Sequence, residues 1–179
     1  MTTAWMETFS GGRYYPLVPE KNAIDIKDIA HSLALMCRFN GHCRFHYSVA
    51  QHSLYVSYCL PERLQMAGLL HDAAEAILSD IISPMKQHMD SFRELEQAWL
   101  VEIFDALDVP WPSQDEWQHI KFADDHLLVL EAEQLMVSKG KDWVLAGSRH
   151  LKMPAIAIRP FQPRDVEKRF LQRYEELKS

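Results

Sequence analysis

Side chains of the kinds that bind metals stand in the middle of apolar helical stripes in this chain. They are His52, the adjacent pair His71-Asp72, and Asp124. Taken singly, such a histidine is usually a hydrogen-bonded core residue, and such an aspartate is usually solvated or a helix cap. A buried carboxylate without a partner is costly, however. One divalent cation shared by all four side chains would account for them together.

This ligand set also indicates a chemistry. Two imidazoles and two carboxylates suit Mn, Fe, Co, Ni or Zn better than Ca or Mg. Four protein ligands leave room in an octahedral site for water and for a phosphate oxygen. Because such a metal lowers the pKa of bound water and polarises phosphorus, the pattern favours one divalent transition metal that serves in phosphate hydrolysis.

Helices must position these side chains, because apolar residues recur at spacings of three and four along most of the chain. We predict helices over residues 25–36, after the N-cap Ser48, from Pro61 through Leu78, over 92–107, after Ser113 and over 165–177. Residues 154–161 are predicted to be extended. The predicted fold class is all-α, as a single-domain helical bundle over residues 1–179 with an irregular N-terminal arm over residues 1–23.

Charge and composition restrict the partners. The net charge is −6 with histidine neutral, and an acidic surface repels long nucleic acids, whose binding depends on phosphate neutralisation. No apolar run approaches the roughly 20 residues of a membrane helix, and residues 1–10 lack the pattern of a signal peptide. We expect a cytoplasmic protein that binds a small molecule and has no nucleic-acid or membrane partner. Cys37, Cys43 and Cys59 are expected to be reduced thiols.

Tryptophans suggest self-association. Trp99, Trp111 and Trp117 crowd into a short stretch, which is more than one small core needs. Because exposed apolar patches usually mark interfaces, we expect a homo-oligomer, at least a dimer.

Three short motifs carry a resemblance to a known family. Residues 48–53 read Ser-Val-Ala-Gln-His-Ser, residues 69–75 read Leu-Leu-His-Asp-Ala-Ala-Glu, and residues 122–124 read Phe-Ala-Asp. Together they resemble the H…HD…D signature of the HD-domain phosphohydrolases. That resemblance implies an HD-type helical bundle in which His52, His71, Asp72 and Asp124 bind the metal.

Further motifs are similar to one branch of that family. Residues 80–86, Asp-Ile-Ile-Ser-Pro-Met-Lys, are similar to the Asp-x-x-x-Pro-x-Lys stretch of the 5′-deoxynucleotidases, and Arg38-Phe39 resembles their Arg-Trp pair. The N-terminal pattern, Gly-Gly-Arg followed by Ile-Asp-Ile-Lys-Asp-Ile-Ala-His, resembles bacterial and phage members, including phage dATP triphosphohydrolases of the DatZ type. The resemblance implies a deoxynucleotide substrate, with a lean towards deoxyadenosine nucleotides such as dATP.

The same resemblance implies roles for five more residues. Glu75 would orient the attacking water or protonate the leaving group, and Asp80 would order the pocket or contact the sugar. Arg38 and Lys86 would hold phosphate, and Phe39 would stack on the base. The alternatives are a solvated carboxylate for Glu75, surface salt bridges for Arg38 and Lys86, and core packing for Phe39.

Two positions depart from the family pattern. Gln51 stands where many relatives carry Glu before the first metal histidine, and Phe39 replaces Trp. We expect both changes to affect specificity more than metal binding.

Several functions remain open at this level. The substrate is either a deoxynucleoside monophosphate or a triphosphate, and cations such as Arg13, Arg44 or Lys121 near the site would favour the triphosphate. Hydrolysis of an alarmone or a cyclic nucleotide is a further enzymatic alternative. The non-enzymatic alternative is a regulatory nucleotide-binding protein, a class expected to lack Glu75 or one of the metal ligands.

Overall fold

Helices make up most of the chain in the computed structural model, which describes residues 4–141, 143 and 156–178. The α-helices are α1 (Ile26–Leu35), α2 (Val49–Cys59), α3 (Glu62–Leu70), α4 (Glu75–Leu78), α5 (Ser83–Lys86), α6 (Asp90–Ala106), α7 (Gln114–Leu135) and α8 (Pro163–Lys178). The predicted all-α class is confirmed.

The N-terminal arm contains a small hairpin that the sequence analysis did not predict. Strands β1 (Met6–Glu7) and β2 (Arg13–Tyr14) pair antiparallel. The predicted irregular arm is therefore partly regular, because Gly11, with φ at 86°, makes the turn between the strands. The backbone N–H and hydroxyl of Ser10 then donate to the Asp28 carboxylate on α1. The arm is therefore tied to the first helix.

Side-chain caps begin three of the helices where the sequence predicts. Asp25 accepts from the backbone N–H of Lys27, and Ser48 accepts from that of Gln51. Ser113 forms a reciprocal capping box with Glu116 at the start of α7. The predicted starts of α1, α2 and α7 are confirmed, and these helices carry or flank the metal-type side chains.

The main core lies where α2 packs against α1, α3, α7 and α8. Its largest fully buried side chains include Trp99, Phe104 and Phe170. Phe170 and its neighbours at one-turn spacing, Val166 and Tyr174, are buried as the sequence predicts. Since α2 lies at the centre of this packing, a residue in its middle is removed from solvent.

The helix predicted from Pro61 through Leu78 is interrupted, which is a correction. α3 ends at Leu70, residues 71–74 form turns, and α4 begins at Glu75. At this point His71 Nδ1 lies 2.8 Å from the Gly68 carbonyl oxygen. A continuous α-helix would use that oxygen for the backbone N–H of Asp72.

Most of these tryptophan side chains pack against other parts of the same chain. Trp99 is fully buried and donates its indole N–H to the Pro16 carbonyl at 2.8 Å. Trp117 packs against Phe104 and Trp111, and Trp111 is 40% exposed. Trp99 therefore lends no support to an oligomer, which stays a prediction that depends on Trp111.

Residues 156–162 form neither a helix nor a strand, so the extended conformation stays a prediction there, and residues 154 and 155 lie outside the described residues. The Gln134 side chain donates to the Ile156 carbonyl and accepts from the Ile158 N–H. Gln51 donates to the Arg159 carbonyl at 2.9 Å. This segment is thus bound to α7 and α2 by two side-chain amides. Within the described part of the chain, no helix combines the length and apolar character needed to cross a membrane.

The Ser113 cap gives a stability prediction. Replacing Ser113 with alanine removes the acceptor for the Glu116 N–H and should cost about 1 kcal/mol of unfolding free energy, or about 2–4 °C in Tm for a protein of this size. Thermal and urea unfolding measure the change. Ser91→Ala, at an exposed non-capping position in the first turn of α6, is the control and should leave Tm unchanged; an equal loss in both variants would contradict the cap.

Candidate metal centre

Two histidines and an aspartate from two parts of the chain meet at one point. His52 comes from the middle of α2, and His71 and Asp72 come from the turn after α3. One ligand atom from each lies within 4.8 Å of the other two. The two Nε2 atoms are 3.3 Å apart, and Asp72 Oδ2 lies 3.2 Å from His71 Nε2. The structure therefore brings together three of the four predicted ligands in a cluster that could hold a metal.

Asp124 lies at the edge of this cluster. Its Oδ1 is 3.1 Å from His52 Nε2, while its Oδ2 accepts from Lys121 Nζ at 2.9 Å. It is outside the group whose ligand atoms are all mutually close. The fourth predicted ligand thus approaches from the side of His52, and one of its oxygens is held by an ammonium.

The other ring nitrogen of each histidine faces an acceptor. His52 Nδ1 lies 2.6 Å from Glu131 Oε1, and His71 Nδ1 lies 2.8 Å from the Gly68 carbonyl oxygen. An ionised carboxylate and a carbonyl can only accept, so both Nδ1 atoms carry hydrogen. In the neutral rings, two bare Nε2 lone pairs then face each other. Such a pair repels unless a proton or a metal ion is bound there, so this donor set fits a metal ion.

The surrounding charges also favour a cation. Burial and the charge of Arg38 lower the pKa of His52, but Glu131 and Asp124 outweigh them and raise it to about 9. Burial opposes ionisation of Asp72 and Asp124, yet the neighbouring imidazoles hold both carboxyl pKa values well below the usual range. Positive charge is therefore stabilised at this position, and a metal ion would replace a proton there.

Glu131 belongs to the site, although the sequence analysis gave it no role. It is fully buried on α7 and accepts from His52 Nδ1, from the Tyr47 hydroxyl at 2.8 Å and from the Arg38 guanidinium at 3.1 Å. A signal for it was present, since it lies seven residues after Asp124 on the same apolar stripe. A second buried carboxylate on that stripe also needs partners.

Glu75 lies buried next to the cluster. It is 4% exposed, and its Oε1 accepts from Lys86 Nζ at 3.2 Å. Its other oxygen is buried without a hydrogen-bond partner among the described residues. Burial, followed by the charges of Asp72 and Asp80, raises the pKa of Glu75 well above its usual value. The alternative of a solvated helix carboxylate does not agree with this environment.

Lys86 joins two carboxylates at the same place. Its Nζ lies 2.7 Å from Glu96 Oε1 as well as 3.2 Å from Glu75. Burial opposes its charge, but both carboxylates outweigh burial and raise its pKa. A cavity of about 180 Å³ opens here, lined by His71, Asp72, Ala74, Glu75, Lys86, Glu96, Gln97 and Leu100. The predicted acid and the predicted phosphate ligand therefore share one small cavity with two metal-type residues.

Asp80 is half-buried near these groups. Burial raises its pKa, with a further contribution from Asp72, and Arg38 and Lys86 partly oppose the rise. Its carboxylate makes no hydrogen bond or ion pair within the described part of the chain. Its carboxylate therefore has no protein partner among the described residues that a ligand would have to displace, as the predicted sugar contact requires.

Arg38 and Phe39 lie in a short 3-10 turn over Arg38–Gly41. The Arg38 guanidinium is bound to Glu131 and lies 3.7 Å from Asp72 Oδ2, so its pairs are buried rather than on the surface. Phe39 has a left-handed backbone with φ at 56° and packs near Trp143 in a second apolar cluster. Packing accounts for much of the Phe39 side chain, which is half-buried.

Gln51, next to the first metal-type histidine, binds residues outside the metal-type cluster. Its amide binds the Arg159 carbonyl and approaches the Tyr55 hydroxyl. This side chain therefore binds Arg159 and a tyrosine of its own helix, and its effect on specificity stays a prediction.

Comparison with known proteins identifies the class. Residues 43–121 match the HD-domain family. Two relatives align over nearly the whole chain. The uncharacterized protein YfdR of Escherichia coli (strain K12) is 32% identical over 175 residues, which cover 97% of this chain and 96% of that protein. The uncharacterized protein RCAP_rcc00048 of Rhodobacter capsulatus is 33% identical over 188 residues, which cover 97% of this chain and 95% of that protein.

The chain therefore belongs to the HD-domain family. Members of this family are generally hydrolases, and the His/Asp cluster agrees with metal-dependent phosphohydrolase activity. Neither relative's name states an activity, so the 5′-deoxynucleotidase and DatZ-type branch stays a prediction. The matched segment contains His52, His71 and Asp72, whereas Arg38 and Asp124 lie outside it.

The position of Asp124 gives a metal-binding prediction. Asp124→Asn should lower the affinity for Co²⁺ by at least about 10–100-fold, the loss that even an outer-shell change typically causes. Isothermal titration calorimetry measures it. Asp125→Asn is the matched control, because Asp125 shares Lys121 but not the cluster, and it should bind Co²⁺ like wild type. Unchanged affinity in the Asp124 variant would exclude Asp124 as a ligand.

Proposed function

We propose that this protein is a metal-dependent phosphohydrolase that removes phosphate from deoxynucleotides. The observation that carries the proposal is the facing pair of Nε2 atoms of His52 and His71, 3.3 Å apart, beside a cavity that contains Glu75 and Lys86. A cation site, a buried acid and an ammonium thus lie within one small region. Phosphate-ester hydrolysis uses all three.

His52, His71, Asp72 and Asp124 would hold the metal in this proposal. When bound, a divalent transition metal supplies Lewis acidity, which makes water a better nucleophile and polarises a phosphoryl oxygen. The residues already hold their orientation through Glu131 and the Gly68 carbonyl. The chain therefore presents a preorganised ligand set, as rapid chemistry requires.

Glu75 would act as the general acid. Burial and nearby carboxylates raise its pKa, which favours the protonated carboxyl, and that proton would pass to the leaving-group oxygen of the nucleoside. Lys86 holds Oε1 by a hydrogen bond, and Oε2 has no hydrogen-bond partner among the described residues, so Oε2 would be the oxygen that transfers the proton. Once deprotonated, the same carboxylate can accept a proton from water.

The charges near the site support a monophosphate over a triphosphate. The ammonium of Lys86 is shared by Glu75 and Glu96, and the guanidinium of Arg38 is paired with Glu131. A phosphate must therefore compete with carboxylates for both cations. A deoxynucleoside monophosphate brings less negative charge into this environment than a triphosphate does.

One observation favours the triphosphate as the second candidate. Lys121 lies against Asp124 at the edge of the cluster and could contact distal phosphates there. Within the described part of the chain, the side chains of Arg13 and Arg44 do not pair with the cluster, and Arg13 lies over the Trp5 ring.

Sugar and base recognition depend on the family resemblance. Asp80 would bind the deoxyribose, and the exposed part of Phe39 would stack on the base. Stacking is tolerant of base identity, so the preference for adenine is the weakest part of the proposal. The resemblance to phage dATP hydrolases is its support.

A phosphate-release screen tests the substrate. We expect deoxynucleoside monophosphates to be hydrolysed with the highest kcat/KM in the presence of Mn²⁺ or Co²⁺. Ribonucleotides should be slower by about 5- to 150-fold, because a buried unpaired 2′-hydroxyl costs about 1–3 kcal/mol. Release of triphosphate from dATP would instead support the second candidate. Equal kcat/KM for AMP and dAMP would contradict the sugar preference, and activity on no nucleotide would contradict the function.

Glu75 provides the mechanistic test. Glu75→Gln keeps the size of the side chain but removes the transferable proton, so kcat should fall by about 10²–10⁴-fold while Co²⁺ binding persists. Glu94→Gln, at an exposed position on α6, is the control and should match wild type. Near-wild-type turnover in the Glu75 variant would mean that Glu75 is not the acid.

A further inference from the structure

We propose that Glu131 is a positioning residue that fixes the tautomer of His52 and thereby sets the metal affinity of the centre. The inference rests on the metal-binding part of the proposed function and is independent of the substrate. Its basis is the contact of 2.6 Å between His52 Nδ1 and Glu131 Oε1, with both side chains fully buried.

The geometry leaves His52 one orientation in which it can bind a metal. The Glu131 carboxylate accepts but does not donate when ionised, so it holds the hydrogen of His52 on Nδ1. The lone pair of Nε2 then points towards His71, Asp72 and Asp124. Such outer-shell partners orient a ligating imidazole and increase its basicity.

The two histidines are oriented by different means. His71 Nδ1 is bound by a backbone carbonyl, that of Gly68, which no side-chain substitution removes. His52 depends on a side chain that lies 79 residues away in sequence. Glu131 is therefore the residue through which the ligand geometry can be changed without altering a ligand.

Three donors hold the Glu131 carboxylate itself in place. Tyr47 donates to Oε1, the oxygen that also receives His52, and Arg38 donates to Oε2. Oε1 thus accepts two hydrogen bonds, while the Arg38 charge compensates the buried anion. The carboxylate cannot rotate away from His52 without breaking these bonds.

Metal titration of the full-length protein tests the proposal. Glu131→Gln should weaken Co²⁺ binding by about 10–100-fold in isothermal titration calorimetry. Glu133→Gln, the same change at an exposed position two residues along α7, should bind Co²⁺ like wild type. Tyr47→Phe removes a donor to Glu131 but leaves the His52 contact, so its affinity should stay within about threefold of wild type. An unchanged affinity in Glu131→Gln, or an equal loss in Tyr47→Phe, would overturn the proposal.

A measurement on the wild-type protein keeps the test decisive if Glu131→Gln does not fold. Zn²⁺ is diamagnetic, so ¹⁵N NMR of the Zn²⁺-loaded protein can identify the protonated nitrogen of His52. We expect a hydrogen-bonded Nδ1–H at low field with slow solvent exchange. Zinc bound through Nδ1, or an Nδ1–H in fast exchange, would overturn the assignment.

Neither measurement uses a nucleotide. A protein with Glu131-dependent Co²⁺ affinity but without phosphate release would therefore contradict the proposed activity alone. If the protein releases phosphate but its Co²⁺ affinity is the same in Glu131→Gln as in wild type, only this inference is contradicted.

Discussion

The hydrogen bond between His52 and Glu131 is the contact on which the rest of the site depends. It joins the central helix α2 to the long helix α7 inside the core, where an unpaired imidazole or carboxylate would be costly. The same carboxylate draws in Arg38 and Tyr47 from the turn before α2. Because each group satisfies another, the fold can bury a set of charges at a place where apolar packing alone would be more stable.

A break in a helix supplies the other half of the centre. The side chain of His71 takes the Gly68 carbonyl, and α3 stops at Leu70. The turn that follows places His71 and Asp72 towards α2, and the chain then re-enters a helix at Glu75. The contact between His71 and the Gly68 carbonyl thus orients the imidazole at the point where α3 ends. The turn that follows brings the Asp72 carboxylate to the cavity.

The site separates two kinds of carboxyl group by their surroundings. Asp72 and Asp124 stand beside imidazoles, which lower their pKa values, whereas Glu75 and Asp80 lie where burial and like charges raise theirs. Anionic ligands and a protonated acid can thus coexist within one small region. This division of roles agrees with the hydrolase character of the HD-domain family.

The sequence by itself determined the all-α class, the capped starts at Ser48 and Ser113, and the metal-type residues, because each depends on neighbours within a few positions. Only the tertiary structure decided that α3 ends at Leu70, that Lys86 lies between Glu75 and Glu96, and that Glu131 binds His52. The apolar stripe of α7 showed that Glu131 needed a partner but not which one. Such pairings form between residues far apart in the chain, and they are selected by how the helices pack rather than by local spacing.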